Sequence, residues 1–187
     1  MTLPSSRLAG GVALLSLVVV TLGCSAPSAA PPHTGAHGAG PHASHEDAEL
    51  REVATIHGGA GPWAVLGYRM GKYALAELRL PRHSFDLEVT HRSPRAVQFT
   101  CIADGASAAT GASVGKLNLS LEPADESSVA TVYRNKKTGQ EVALRPAKAF
   151  VTRFKDVPRE GLARAGREVL ALPDAELFEV LAAPPAH

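Results

Sequence analysis

Gly67 and Gly71 stand four apart inside a stretch, Trp63 to Leu80, whose apolar residues Trp63, Leu66, Met70, Tyr73 and Ala74 recur at three and four. That spacing places them on one face of a helix, with Arg69, Lys72 and Arg79 on the other. A glycine inside a helix costs about 1 kcal/mol relative to alanine, so two of them one turn apart require a compensating gain. The gain that a missing Cβ offers is the close approach of another backbone. The chain is therefore expected to fold so that a second segment, an intrachain strand or the mate in a dimer, lies against this helix.

Around that helix the pattern changes several times. Pro62 sits where a helix starts, and Glu46 to Ile56 reads as a shorter helix before it. After Pro81, Phe85, Leu87 and Val89 alternate with Asp86, Glu88 and Thr90, the pattern of a half-buried strand. Val97 and Phe99 lead similarly into Cys101. Ile102 to Thr110 is alanine-rich and reads as a short helix ending at Gly111. Leu117, Leu119 and Leu121 alternate, and Val129 to Arg134 and Glu141 to Arg145 flank Asn135-Lys136-Lys137-Thr138-Gly139 as the arms of a hairpin. Pro158 to Ala171 and Asp174 to Ala182 read as helices, Asp174 capping the second. The order predicts a single α+β domain, a largely antiparallel sheet packed by helices with a helical carboxy-terminal extension.

Arg7 is the only charge in the first 45 residues, and Leu8 to Leu22 is an apolar run of 15 residues. A membrane span needs about 20, whereas a basic start before a shorter apolar core fits a secretory signal. The junction Leu22-Gly23-Cys24-Ser25 resembles the lipobox of bacterial lipoprotein precursors, with Thr21 and Leu22 departing from its usual order. The expectation is a signal peptide over 1–23, lipidation at Cys24, and a membrane-anchored, exported chain on the periplasmic or cell-surface side. Residues 24–45, mostly Ala, Pro, Gly, Ser and His, read as a tether, leaving 46–187 as the folded domain. His33, His37, His42 and His45 in the tether either collect a transition metal or belong to a soluble spacer.

Lys plus Arg is 19 against 18 for Asp plus Glu, so the chain as a whole carries no field that would hold nucleic acid or an acidic membrane surface. With 45% hydrophobic and 20% charged residues it is not a disordered chain. Its two cysteines cannot form a disulfide framework, and only Cys101 lies in the body of the protein.

Two segments carry a more specific pattern. His57-Gly58-Gly59-Ala60-Gly61-Pro62 runs into Leu66-Gly67-Tyr68-Arg69-Met70-Gly71; Cys101-Ile102-Ala103-Asp104 is followed by Thr110-Gly111, Gly115-Lys116 and Asn118-Leu119. These resemble, in order and internal spacing, the two motifs of the formylmethanofuran dehydrogenase E-subunit family, over about Val53 to Arg145. The resemblance implies an α+β core that tends to pair as a homodimer, with the His and Cys of the two motifs near one another around a metal. Family members often read His-Gly-His-x-Cys-Pro-Gly in the first motif; here Gly59 and Gly61 stand in place of the second histidine and the cysteine, and Ala112 in place of a later cysteine. An exported, tethered copy does not suit a cytoplasmic methanogenic complex.

His57, Cys101 and Asp104 remain, an imidazole, a thiol and a carboxylate of the kinds that zinc or another transition metal accepts. Asp104 lies one helical turn after Cys101, so both can face one point. If Cys101 opens a helix, the unpaired N–H groups there favour its thiolate. Read without a metal, Cys101 is a small buried hydrophobe, Asp104 a cap and His57 a loop residue, and the sequence leaves both accounts open. Thr110 to Lys116 is not a phosphate loop: only three residues separate Gly111 from Gly115, Leu117 replaces the magnesium-binding hydroxyl, and a strand pattern follows. Lys116 is then a strand-edge charge or a ligand for a small acidic group, and with Asn118 from the same motif makes up the candidate ligand-binding residues. No Ser-His-Asp order, paired carboxylates or dinucleotide fingerprint appears. The functional expectation is a tethered domain that binds a transition metal or small ligand without catalysis. A thiol enzyme or redox protein using Cys101 with His57 as base, and a structural or partner-binding module, are the alternatives.

Overall fold

The computed structural model describes residues 41–182. The segment expected to be a signal peptide, Cys24, His33 and His37 lie outside these residues, as does most of the expected tether. Helix α1 (Pro41–His57) leads into α2 (Pro62–Leu78), then strand β1 (Leu87–Ser93), α3 (Val97–Thr110) and β2 (Leu119–Pro123). A hairpin of β3 (Ala130–Asn135) and β4 (Glu141–Pro146) follows, then α4 (Lys148–Phe154), α5 (Leu162–Ala171), α6 (Asp174–Leu177) and β5 (Phe178–Leu181). The strands form one sheet in the order β2-β1-β3-β4-β5, parallel only between β1 and β2. This is the expected α+β domain with a largely antiparallel sheet. Among the described residues no helix is long and apolar enough to cross a membrane.

The segment that lies against the glycine helix is α3, an intrachain helix rather than a strand or a dimer mate. A Cβ added to Gly67 would sit 2.0 Å from the Ile102 carbonyl oxygen, and one added to Gly105 of α3 would sit 1.8 Å from the Ala64 carbonyl oxygen. The two backbones thus touch at reciprocal glycines. One turn on, Gly71 meets side chains, with Ala109 Cβ 2.8 Å from where its own Cβ would be. Because α3 also crosses between the parallel strands β1 and β2, this contact sets how the helical layer lies on the sheet.

Several boundaries differ from the sequence expectation, each for a tertiary reason. Helix α1 begins at Pro41, so the last residues assigned to the tether are helical. Val97 to Thr100 form the first turn of α3 instead of a strand, because Phe99 packs edge-on against Trp63 at 5.2 Å between ring centroids. Phe85 lies outside β1 and is 71% exposed. Leu117 ends a 3-10 turn with φ 55, so the leucine alternation is broken there. The carboxy-terminal extension is not wholly helical: only Asp174 to Leu177 turn, and Phe178 to Leu181 pair with β4 as an edge strand. Asp174 does not cap; its carboxylate accepts from Arg69 at 2.7 Å. Arg69, expected to face solvent, also donates to the Leu170 and Leu172 carbonyls at 2.5 and 2.9 Å, fastening the end of α5 to α2.

Beneath α3 the sheet buries a histidine. His91 on β1 is fully buried, its Nδ1 2.9 Å from Thr131 Oγ1 and its Nε2 3.1 Å from the Phe99 carbonyl. The carbonyl can only accept, so Nε2 carries the proton and Nδ1 accepts from Thr131. Burial lowers the imidazole pKa from 6.5 to about 4.

Gly67→Ala and Gly105→Ala should each cost several kcal/mol, about 3 or more, because backbone and not a yielding side chain opposes the new Cβ. Gly115→Ala, where nothing lies within 4 Å, should change stability by less than about 0.5 kcal/mol. Thermal or urea unfolding of the three variants makes the comparison. For His91, the unfolded chain takes up its proton near pH 6.5 and the folded chain only near pH 4. Its contribution to stability is thus complete above pH 6.5 and is lost as pH falls toward 4, by about 3 kcal/mol. Imidazole titration by NMR should give one histidine with a midpoint near 4; a midpoint above 6 would contradict the buried neutral ring.

Candidate functional site

His57 is the last residue of α1, and Gly58, at φ 84, turns the chain out of the helix. The loop to Pro62 is pressed onto α5, where a Cβ at Gly166 would come within 1.8 Å of the Ala60 carbonyl. Across from it, α3 presents Cys101 and, three residues later, Asp104. His57 Nδ1 lies 2.8 Å from Asp104 Oδ2. The carboxylate accepts from Nδ1–H, which leaves Nε2 free as a lone-pair donor.

His57 and Cys101 line one open cavity of about 260 Å3, walled by Trp63, Gln98, Phe154 and Leu162. It is smaller than the 300–1,000 Å3 range of drug-sized ligand pockets, which limits it to small molecules or ions. Trp63 is fixed by an indole N–H donated to the Phe154 carbonyl at 3.0 Å and by edge contacts with Phe99 and Phe150. Gln98 brings a buried amide nitrogen that has no acceptor among the described residues.

Burial, with the Asp104 carboxylate adding to it, pushes the Cys101 thiol up to about 11, so it is protonated at neutral pH. Cys101 is not at a helix start that would favour its thiolate, because α3 begins at Val97 and Cys101 sits in its second turn. There the backbone N–H groups bond within the helix and the dipole's effect has fallen away. Among the described residues no hydrogen bond joins His57 to Cys101, and no three His, Cys, Asp or Glu side chains gather as a metal-holding group. The cavity is therefore shared by two of the three expected ligands, and Asp104 bonds to the imidazole.

Lys116 and Asn118 are not brought to this cavity. Asn118 is buried, its Oδ1 accepting from Ser113 N at 3.0 Å and its Nδ2 donating to the Leu87 carbonyl at 3.0 Å. Lys116 Nζ donates to the Gly111 carbonyl at 2.8 Å. Both lie beyond the carboxy-terminal end of α3, whereas the cavity lies toward its amino-terminal end. Sequence reasoning does not mark the cavity residues Gln98 and Phe154. Gln98 falls in a strand-like pattern, and α4 carries no signal beyond a short mixed run.

These features define a small α+β domain with a thiol- and imidazole-lined cavity between a glycine loop and two tightly packed helices. Residues 56–179 match the family model described as FmdE, molybdenum formylmethanofuran dehydrogenase operon, and the chain belongs to that family. The match runs past Arg145, so α4 through the first half of β5 belong to the family domain and are not an appendage. No curated protein matches the chain.

Proposed function

We propose that this chain is an extracytoplasmic FmdE-family domain, anchored through Cys24, that binds a transition metal or small ligand in the His57–Cys101 cavity without catalysing a reaction. The observation that carries the reading is the 2.8 Å contact from Asp104 to His57 Nδ1 at the edge of the cavity that Cys101 also lines. A carboxylate behind an imidazole fixes its tautomer and raises its basicity, as in metal sites generally. The donor types fit zinc: one nitrogen and one sulfur, with Asp104 as the orienting carboxylate. With Gly59 and Gly61 in place of donors, water or a ligand atom completes the coordination. Bound there, the metal would supply Lewis acidity. Weighing against catalysis, the thiol is held protonated and among the described residues no hydrogen bond joins it to His57.

In a background with His33, His37, His42 and His45 replaced by alanine, zinc titration followed by calorimetry should give one site. Cys101→Ser and His57→Ala should each weaken it at least tenfold, and Asp104→Asn about tenfold. Zinc must displace the thiol proton, so affinity should fall about tenfold for each pH unit below neutrality. Equal affinity in all variants would remove the metal from this cavity; absence of zinc binding throughout would leave a small-ligand pocket.

For the anchor, Cys24→Ser should accumulate as an unprocessed precursor without acyl label, and normal processing of that variant would exclude lipidation at Cys24.

A further inference from the structure

Beyond the cavity, three loops converge at one end of the sheet. β1 and β2 are parallel and start at this end, while the antiparallel β3 finishes there. The loop before β1 carries Phe85 at 71% exposure, the turn before β2 carries Val114 at 72% and Leu117 at 89%, and the turn after β3 carries Lys136 and Lys137. Lys116 joins the first two loops, with its ammonium 5.4 Å from the centre of the Phe85 ring. Lys136 N donates to the Asp86 carbonyl at 2.8 Å, joining the third.

This apolar knob is held rigid. Leu117 keeps a left-handed backbone, φ 55, which a bulky residue adopts only when its surroundings impose it. The imposing groups are visible: buried Asn118 accepts from Ser113 N, and the Ser113 hydroxyl accepts from Lys116 N at 3.3 Å. A strained turn thus displays two aliphatic side chains to solvent beside an exposed phenylalanine.

We propose that this end of the domain seats on an anionic lipid surface, Phe85, Val114 and Leu117 entering the headgroup boundary and Lys116, Lys136 and Lys137 lying among the lipid phosphates. The local charge favours it: Arg79, Lys116, Lys136 and Lys137 stand here against Glu77 and Asp86, and among the described residues neither Lys136 nor Lys137 is in an ion pair. Whole-chain neutrality does not oppose a cluster of this kind, because screening confines each charge to about 8–10 Å. The path of the chain favours it too. α1 runs antiparallel to α3, since Glu52 meets Arg82, which holds the Ala108 carbonyl, while His57 meets Asp104. α1 therefore enters from the end of α3 where the knob lies. Sixteen residues separate Cys24 from Pro41, and a tether of that length and composition, as expected from the sequence, would reach about 20 Å. Only this reach depends on the proposed lipid anchor and tether; exposure and charge are independent of both.

The test uses a local reporter. Trp63 is the chain's single tryptophan and is buried, so Phe85→Trp adds one exposed indole. With the full chain on vesicles of brominated phosphatidylcholine and phosphatidylglycerol, the new emission should shift to the blue and be quenched. Lys136→Ala with Lys137→Ala, or vesicles without phosphatidylglycerol, should lower the docked-to-free ratio about tenfold. Cys24→Ser, added from solution, should still show quenching, which separates failure of the anchor from failure of the surface. Quenching no greater than that of the unsubstituted chain, or quenching insensitive to both lysines and lipid charge, would overturn the proposal. A blue shift that grows with protein concentration without vesicles would assign the knob to self-association instead.

Discussion

The reciprocal backbone contact between α2 and α3 is the constraint on which the remaining structure depends. Gly67 lies under Ile102 and Gly105 under Ala64, at separations that exclude any Cβ. The glycines' cost in helix propensity is offset by main-chain proximity that brings Leu66, Met70, Ile102 and Ala106 into one buried cluster. Because α3 is the crossover between two parallel strands, fixing it against α2 also fixes β1 and β2. The site inherits this rigidity: Pro62 and Trp63 start α2, Gln98 and Cys101 lie near the start of α3, and the cavity is the gap between the two starts.

What the sequence made legible follows from what is locally encoded. The amphipathic spacing of α2, the hairpin around Asn135 to Gly139 and the left-handed C-cap at Gly111 all occur where their residues place them. The need for a close partner was legible in Gly67 and Gly71, although only Gly67 has backbone as its nearest neighbour, and the partner's identity was not, because Gly105 sits in an alanine-rich run that announces a helix and no more. Where expectation failed, long-range contacts decided. Phe178 to Leu181 has helical neighbours in sequence, yet the open edge of β4 and the Tyr73 ring, 5.3 Å from that of Phe178, draw it into the sheet. Arg69 carries the charge of a solvent-facing residue, yet three carbonyls at the end of α5 and the Asp174 carboxylate take it up.

The site shows the same division. Residue types marked His57, Cys101 and Asp104 as exceeding what folding requires, and the fold brings the first two to one cavity with the third bonded to the imidazole. Their states were not legible. Whether a cysteine is a thiolate depends on its position in the helix and its burial; four residues of extra helix before Cys101 reverse the expectation from an activated to a protonated sulfur. Lys116 and Asn118 carry the opposite lesson. In their motif Asn118 holds Ser113 N and the Leu87 carbonyl, and the Lys116 ammonium donates one bond to the Gly111 carbonyl, so both lie in a turn away from the cavity. The chemistry of that motif goes into shaping a turn.

That turn and the cavity lie toward opposite ends of α3. Fourteen residues of helix set them apart by about 20 Å, so a membrane at the Phe85–Leu117 end would leave the His57 loop facing away from it, open to solutes. The same glycine contact that holds the cavity also holds α3 straight against α2 between the two ends. A domain tethered as proposed has to keep its cavity clear of the surface that anchors it. The fold suits that arrangement, with the start of α1, the apolar knob and the lysines at one end of a rigid helix pair and the only free thiol among the described residues toward the other.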